Sequence, residues 1–382
     1  MFNDALEILN AECKTHLEKY PPEPNPWLRQ SWGSEDCRRL VAEQVASLLE
    51  QVQDEGVIRY PSFSFTDNVE YVQGYGLRRV NNPVLSTVRR EKNKERFDKF
   101  IFVLNTILSG LLKSRRSNKR DLYYQNVHNF SEQGELDELV KKVVSIMSIP
   151  RTLLGIVATI KGLVAGNIKY IDESGVEVNC LLAEGGEQVP SDSTQISGVE
   201  TGAQLILVVE KDTVFQRLIQ EYLKQDSLRD IILLTGKGVP DLATRSFLHR
   251  LTSLFQLPVL VLTDCDPFGF EIMLTYRFGS RSMALCGETL AVPSLFWLGV
   301  LPRDIPMLQV PPEIRLQLSQ ADCKKLKDIS KRPYLRSMVG LVNEFETLWR
   351  LGYKVEIEQV AELSEFSLPQ YITRKIQSLE II

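Results

Sequence analysis

Three short apolar runs mark the middle of the chain, and each ends abruptly in polar or glycine-rich sequence. They are LILVVEKD from Leu205 to Asp212, IILLTGKGVPD from Ile231 to Asp241 and PVLVLTDCDPFG from Pro258 to Gly269. Uninterrupted apolar runs of this length are the pattern of parallel strands buried on both faces. Between them, apolar residues recur every three or four positions, at Phe215, Leu218, Ile219 and Tyr222 and then at Phe247, Leu248, Leu251, Leu254 and Phe255. That spacing is the stripe of an amphipathic helix. The alternation predicts a βαβαβ unit, whose ligands sit beyond the carboxyl ends of its strands.

The flanking sequence follows other periods. Ala5 to Tyr20 reads as a helix, Pro21 to Pro26 as a stiff break, and Leu40, Val41, Val45, Leu48, Leu49 and Val52 as one face of a second helix. Val57 to Val80 can pair as strands, and Arg78 to Arg96 reads as a basic connector. Phe100, Ile101, Val103, Leu104, Ile107, Leu108, Leu111 and Leu112 form a wide helical stripe. Ser117 or Asn118 can then cap a short helix through KRDLYYQ. Leu136 to Ile149 predicts a third helix, and Pro150 predicts the start of a fourth through RTLLGIV. Ile168 and Tyr170 face Val176 and Val178 across a Ser174-Gly175 turn, a hairpin pattern. Helices followed by a hairpin are the layout of a winged helix-turn-helix, a DNA-docking module. The last part, from Ser294 onward, carries a Glu-rich helical run through Leu341 to Leu363.

Candidate chemistry lies at the ends of the strands. Glu210, Asp264 and Asp266 would converge at one sheet edge, with Asp264 and Asp266 sharing a face while Cys265 points away. Gathered carboxylates repel one another unless a hard cation joins them, and Mg²⁺ takes oxygen ligands while keeping waters for a phosphate to displace. Taken alone, D-x-D also describes a solvated turn. In KRDLYY, Arg120 and Tyr124 are four apart and share a helix face. A tyrosine phenol, with an ordinary pKa of about 10, needs a cation or base to act as a nucleophile. Local sequence alone reads more simply as two core aromatics with Arg120 stacked on them.

Composition adjusts the picture in one place. A formal charge of −4 over 382 residues argues against a nucleic-acid binder, but from Arg78 to Arg120 there are thirteen basic residues against three acids. A field focused in that way attracts a phosphate backbone, and it also fits a solvated face with a linker. The six cysteines form no C-x-x-C pair, so neither a zinc site nor a disulfide framework is expected, and a reducing compartment follows. His16, His128 and His249 are scattered and suggest no triad. No charged-then-apolar leader is present, and the most apolar stretch, Met283 to Leu301, is interrupted by Glu288 and Pro293. Neither a signal peptide nor a membrane span is expected. GKG lacks the spacing of a nucleotide-binding P-loop, so Lys237 does not imply ATP hydrolysis.

Glu210 after one strand and D-x-D after a later one resemble a Toprim domain, the metal-binding fold of topoisomerases and primases. VEKD, TGKGVPDLATR and DCDPFGFEIM together resemble the topoisomerase VI A-subunit family, which includes the eukaryotic transesterases that initiate meiotic recombination. KRDLYY is similar to the motif carrying that family's tyrosine. The resemblance covers about Phe97 to Tyr334, departs at Cys265 and Phe268, and is loose over Leu181 to Gly198 and the first ninety residues. It implies Tyr124 as nucleophile, Arg120 as its electrostatic helper, Glu210, Asp264 and Asp266 as Mg²⁺ ligands, and Lys237 and Arg245 near DNA phosphates. It further implies a homodimer on double-stranded DNA with Tyr124 of one protomer meeting the metal of the other, a B-type (ATPase or ATPase-like) subunit, meiotic accessory proteins, and a nuclear location. The expected fold is mixed α/β: an accessory region with basic linker over 1–96, a winged-helix domain over 97–198 and a Toprim-type parallel-sheet domain over 199–382. The expected function is a 5′-phosphotyrosyl double-strand break that begins meiotic recombination, with strand passage by a type IIB topoisomerase as the alternative. A haloacid-dehalogenase-like phosphatase using Asp264 as nucleophile and a non-catalytic DNA-binding scaffold are the remaining readings.

Overall fold

The strand Leu205–Val209 sends alternate side chains into two different cores, Leu205, Leu207 and Val209 into one and Ile206 and Val208 into the other. A strand covered on both faces has no solvent side, which is why its sequence lacks polar positions. The computed structural model describes residues 2–21, 32–62, 69–79, 84–157, 159–224, 230–363 and 367–382. In it this strand lies inside a six-stranded sheet built from β1 (Leu163–Gly166), β2 (Glu187–Gln188), β3 (Leu205–Val209), β4 (Ile231–Thr235), β5 (Val259–Leu262) and β6 (Phe296–Gly299), in the order β2-β1-β4-β3-β5-β6. From β4 through β6 the pairing is parallel, while β1 runs antiparallel to β4 and β2 antiparallel to β1. Helices Asp212–Lys224 and Leu368–Ser378 cover one face, through Val214, Phe215, Leu218, Tyr371, Ile372 and Ile376. Helices Leu242–Phe255 and Pro267–Phe278 cover the other, through Phe247, Leu248, Leu251, Phe270 and Leu274. This is the predicted α/β layering.

The N-terminal helix is more than accessory to that core. Phe2–Lys19 buries Ala5, Leu6 and Leu9 in the same apolar core as the Asp212–Lys224 and Leu368–Ser378 helices. The proline break lies, from residue 22 on, outside the described residues.

A separate core joins the helices Glu35–Glu55, Lys94–Leu112, Lys119–Gln125 and Gln133–Met147 through Val41, Val45, Phe100, Leu104, Leu139 and Val143. Part of the predicted connector is instead a strand: Val84–Arg89 pairs antiparallel with Val57–Ser62. Two further expectations need correction. RTLLGIV is a series of turns, with Leu153, Leu154 and Gly155 bonding three residues back and the Ile156 N–H returning to the Arg151 carbonyl at 3.0 Å. Gly155 takes a positive φ of 74°, a left-handed conformation that ends any helix there, and Ile156–Val157 pairs with Ser117–Asn118 instead. The hairpin forms, with Tyr170 opposite Val178, but among the described residues its buried apolar side chains lie outside the helical core, and its Glu173 meets Arg116 at 3.5 Å. Ile168 and Tyr170 are buried in the sheet's core, and the helical core ends at Ile156. Near the C-terminus, Gly352 at φ 70° breaks the predicted Leu341 to Leu363 run into helix Val339–Leu351, strand Tyr353–Lys354 and helix Ile357–Ala361. Among the described residues, no helix is long and apolar enough to cross a membrane.

Candidate active site

The chain passes from β3 to β4 on one side and reaches β5 on the other, so the strand order reverses at the carboxyl end of β3. Such a reversal opens a crevice between diverging loops, the general place for ligands in parallel sheets. Glu210 is the first residue beyond β3 and Asp264 stands just beyond its neighbour β5.

Glu210 and Asp264 are 8% and 6% exposed and directly connected: a Glu210 carboxylate oxygen accepts the Asp264 N–H at 3.0 Å. Asp264 also accepts the Ile357 N–H at 2.8 Å through Oδ1 and holds the Lys211 ammonium 3.0 Å from Oδ2. Asp266 caps the Pro267–Phe278 helix by accepting the Gly269 N–H at 2.6 Å, with its other oxygen 3.9 Å from Lys354 Nζ. Gly269 is dictated by this turn, since a Cβ there would stand 2.3 Å from the Asp264 carbonyl oxygen. Cys265 points away as expected: it is buried in the core and its backbone bridges to Val355.

Burial, followed by the neighbouring Asp264, raises the Glu210 pKa to about 8. Burial likewise lifts Asp264 to about 6 despite Lys211, and raises Asp266. Burial disfavours the charged form of each of these carboxylates, and a cation placed among them would favour it again. The donor set therefore fits a hard divalent ion. Among the described residues, no group of three or more acid, histidine or cysteine side chains is arranged so that it could hold a metal ion by itself. Mg²⁺ does not require one, since it is held by one or two carboxylates plus waters.

The GKG turn lies against the same acids. Gly238 N–H donates to the Glu210 carbonyl at 2.7 Å, Lys237 N–H donates to Thr235 Oγ1 at 3.1 Å, and the Lys237 ammonium is 3.0 Å from Asp212. Arg245 is placed otherwise than expected. It is 3% exposed on the inner side of its helix, donates to the Leu290 carbonyl at 3.3 Å, and is pulled down to a pKa of about 10 by burial. Its guanidinium stands beside Leu290, Tyr276 and Cys286, enclosed in the fold.

Tyr124 is 70% exposed on the Lys119–Gln125 helix. Asn118 caps that helix by accepting the Asp121 N–H at 2.8 Å, and Leu122 and Tyr123 dock it into the helical core. The ring of Tyr123 meets that of Tyr124 edge-on at 5.6 Å. Arg120 is exposed one turn earlier. Among the described residues, neither the Tyr124 hydroxyl nor the Arg120 guanidinium has a hydrogen-bond or ion-pair partner, and no such contact joins Tyr124 to the acids.

Sequence reasoning overlooked Lys211, Lys354, Glu356 and Glu358, which crowd the acids. Lys211 Nζ lies 3.2 Å from Glu356 and 2.7 Å from Glu358. The available signals were VEKD itself and the alternating VEIE of Val355 to Glu358, which passed as part of a Glu-rich helix.

The family model for the Toprim domain of the topoisomerase 6 A-subunit/Spo11 group matches residues 205–376, and the model "Type IIB DNA topoisomerase" matches residues 95–156. Among similar curated proteins, the human "Meiotic recombination protein SPO11" is 33% identical over 348 residues, 88% of this chain and 88% of that protein. The Arabidopsis thaliana "Meiotic recombination protein SPO11-1" is 36% identical over 76% of this chain and 82% of its own length. The A3 subunit of DNA topoisomerase 6 from Oryza sativa is 35% identical over 73% of this chain and 62% of its own. The phosphatase reading falls with these matches, and its would-be nucleophile, Asp264, is buried and held at both oxygens. With similarity spanning both the tyrosine-bearing helices and the acid-bearing sheet, the chain belongs to the topoisomerase 6 A-subunit/Spo11 family of type IIB topoisomerase-like DNA transesterases.

Proposed function

We propose that this protein makes double-strand breaks in chromosomal DNA by transesterification and so initiates meiotic recombination in the nucleus. The supporting observation is the pairing, in one chain, of an exposed Tyr124 on an anchored helix with a buried acid group at the sheet's reversal point. The phenolic oxygen of Tyr124 attacks a backbone phosphorus, the bond from phosphorus to O3′ breaks, and the 3′ oxygen leaves as a hydroxyl. The protein stays on the 5′ phosphate, no water is consumed, and the phosphotyrosyl bond conserves the energy of the bond that was cut. Arg120, one turn from the phenol, stabilises phenolate and phosphate charge, and Lys237 approaches the DNA backbone. Glu210, Asp264 and Asp266 would hold Mg²⁺, which supplies charge stabilisation at the reacting phosphate when bound.

We further propose a division of labour along the cores: the helical core that carries Tyr124 docks DNA, and the sheet, which takes in the N-terminal helix and the strands Leu163–Gly166 and Glu187–Gln188, holds the metal. As the family resemblance implies, two protomers assemble two composite sites, one per strand, with Tyr124 of one meeting the acids of the other. Meiotic accessory proteins and a B-type (ATPase or ATPase-like) subunit complete the assembly. The name of the rice relative favours a second reading, strand passage with religation by a topoisomerase. Mapping of breaks in meiotic cells separates the two. Persistent protein-capped breaks in wild type, absent in Tyr124→Phe, support the break-maker. Capped ends that reseal, with relaxation of supercoiled DNA once ATP and the B-type partner are added, support the topoisomerase.

A further inference from the structure

The residue after Glu210 is a cation, and it pairs with one carboxylate oxygen of Asp264. Lys211 Nζ stands 3.0 Å from Asp264 Oδ2 while also meeting Glu356 at 3.2 Å and Glu358 at 2.7 Å. The other oxygen of Asp264 is taken by the Ile357 N–H. Glu356 and Glu358 are not placed there by chance packing. The segment carrying them is fastened to the D-x-D turn by backbone bonds in both directions between Cys265 and Val355, at 2.9 and 3.3 Å. Glu358 is further oriented by the Thr213 hydroxyl at 2.7 Å. Lys354, the second ammonium nearby, is arranged differently: Asp322 holds it at 3.0 Å and leaves it 3.9 Å from Asp266.

We propose that Lys211 competes with the divalent cation for Asp264, and that Glu356 and Glu358 are the place to which its ammonium retires when the cation binds. An ammonium and a hydrated divalent ion cannot both occupy the same carboxylate oxygen, and two like charges at such distance repel. Lys211 is already shared between Asp264 and the two glutamates, so a small rotation of its long side chain exchanges one partner for the others without leaving a buried charge unpaired. Lys211 is thus a positioning residue that sets the metal concentration at which the site fills, and Glu358 lowers that concentration by holding the lysine aside. This inference rests on the metal reading of Glu210, Asp264 and Asp266.

The test is Mn²⁺ binding to the full chain, by calorimetry and by loss of the free-ion electron paramagnetic resonance signal, with no cleavage assay involved. Lys211→Met should bind Mn²⁺ about tenfold more tightly than wild type, as expected from removing one adjacent like charge, and Lys211→Arg should stay near wild type. Glu358→Gln should weaken binding severalfold in the wild-type background and have little effect beside Lys211→Met, because it acts through the lysine. Unchanged or weaker binding in Lys211→Met, or an equal loss from Glu358→Gln in both backgrounds, would overturn the competition while leaving the metal site standing. An absence of Mn²⁺ binding in every protein would overturn the metal reading and the inference together.

Discussion

Lys237 and Arg245 come from one sequence segment and have opposite environments, which separates their roles at the scale of single residues. Lys237 is partly exposed, with an ammonium on Asp212 that a phosphate can displace, whereas Arg245 is enclosed. Removing one cation that neutralises a DNA phosphate lowers the slope of log affinity against log salt by about one. Lys237→Ala should therefore flatten the salt dependence of DNA binding by about one, and Arg245→Met should leave the slope unchanged while lowering thermal stability. A slope change for Arg245→Met in a folded protein would mean that the guanidinium reaches DNA after all. The meeting of Glu210 and Asp264 was legible because each follows a strand buried on both faces at the sheet's reversal point. Burial of Arg245 was not: it precedes Leu248 of the apolar stripe by three residues, but a charged side chain there is expected to lie in solvent.

At the scale of elements, β3, β4 and β5 were readable because strands buried on both faces need apolar residues throughout. The fate of the hairpin was not readable in the same way. Its strands were found by alternation, but alternation says that one face is covered, not by what; Ile168 and Tyr170 chose the sheet's core. RTLLGIV failed for a backbone reason, the left-handed Gly155. The N-terminal helix carries no chemistry of its own, yet its apolar face completes the core on the opposite side of the sheet from Ile168 and Tyr170. Leu9→Ala in that helix should cost about 2–5 kcal/mol of stability, as full burial of a leucine requires, measured by chemical denaturation. A cost near zero would detach the helix from the core and restore its accessory role.

At the scale of the whole molecule, the tyrosine's helical core is distinct from the two cores that flank the acid-bearing sheet, and the basic residues from Arg89 to Arg120 lie on or beside the helices of the tyrosine's core. A net charge of −4 hides this division. If the sites are composite, co-assembled Tyr124→Phe and Glu210→Gln protomers contain one intact site, with tyrosine from one and acids from the other. Such mixed dimers should nick one strand where either variant alone is inert. Failure of the mixture to nick would place tyrosine and acids in the same protomer.

The proposed chemistry stands or falls on Tyr124 as the nucleophile. Protein recovered under denaturing conditions from cells making breaks, digested with nuclease and protease, should yield a peptide carrying a 5′-phosphonucleotide on Tyr124, as read by mass spectrometry. Attachment at Tyr123, at another residue, or at a 3′ phosphate would contradict it.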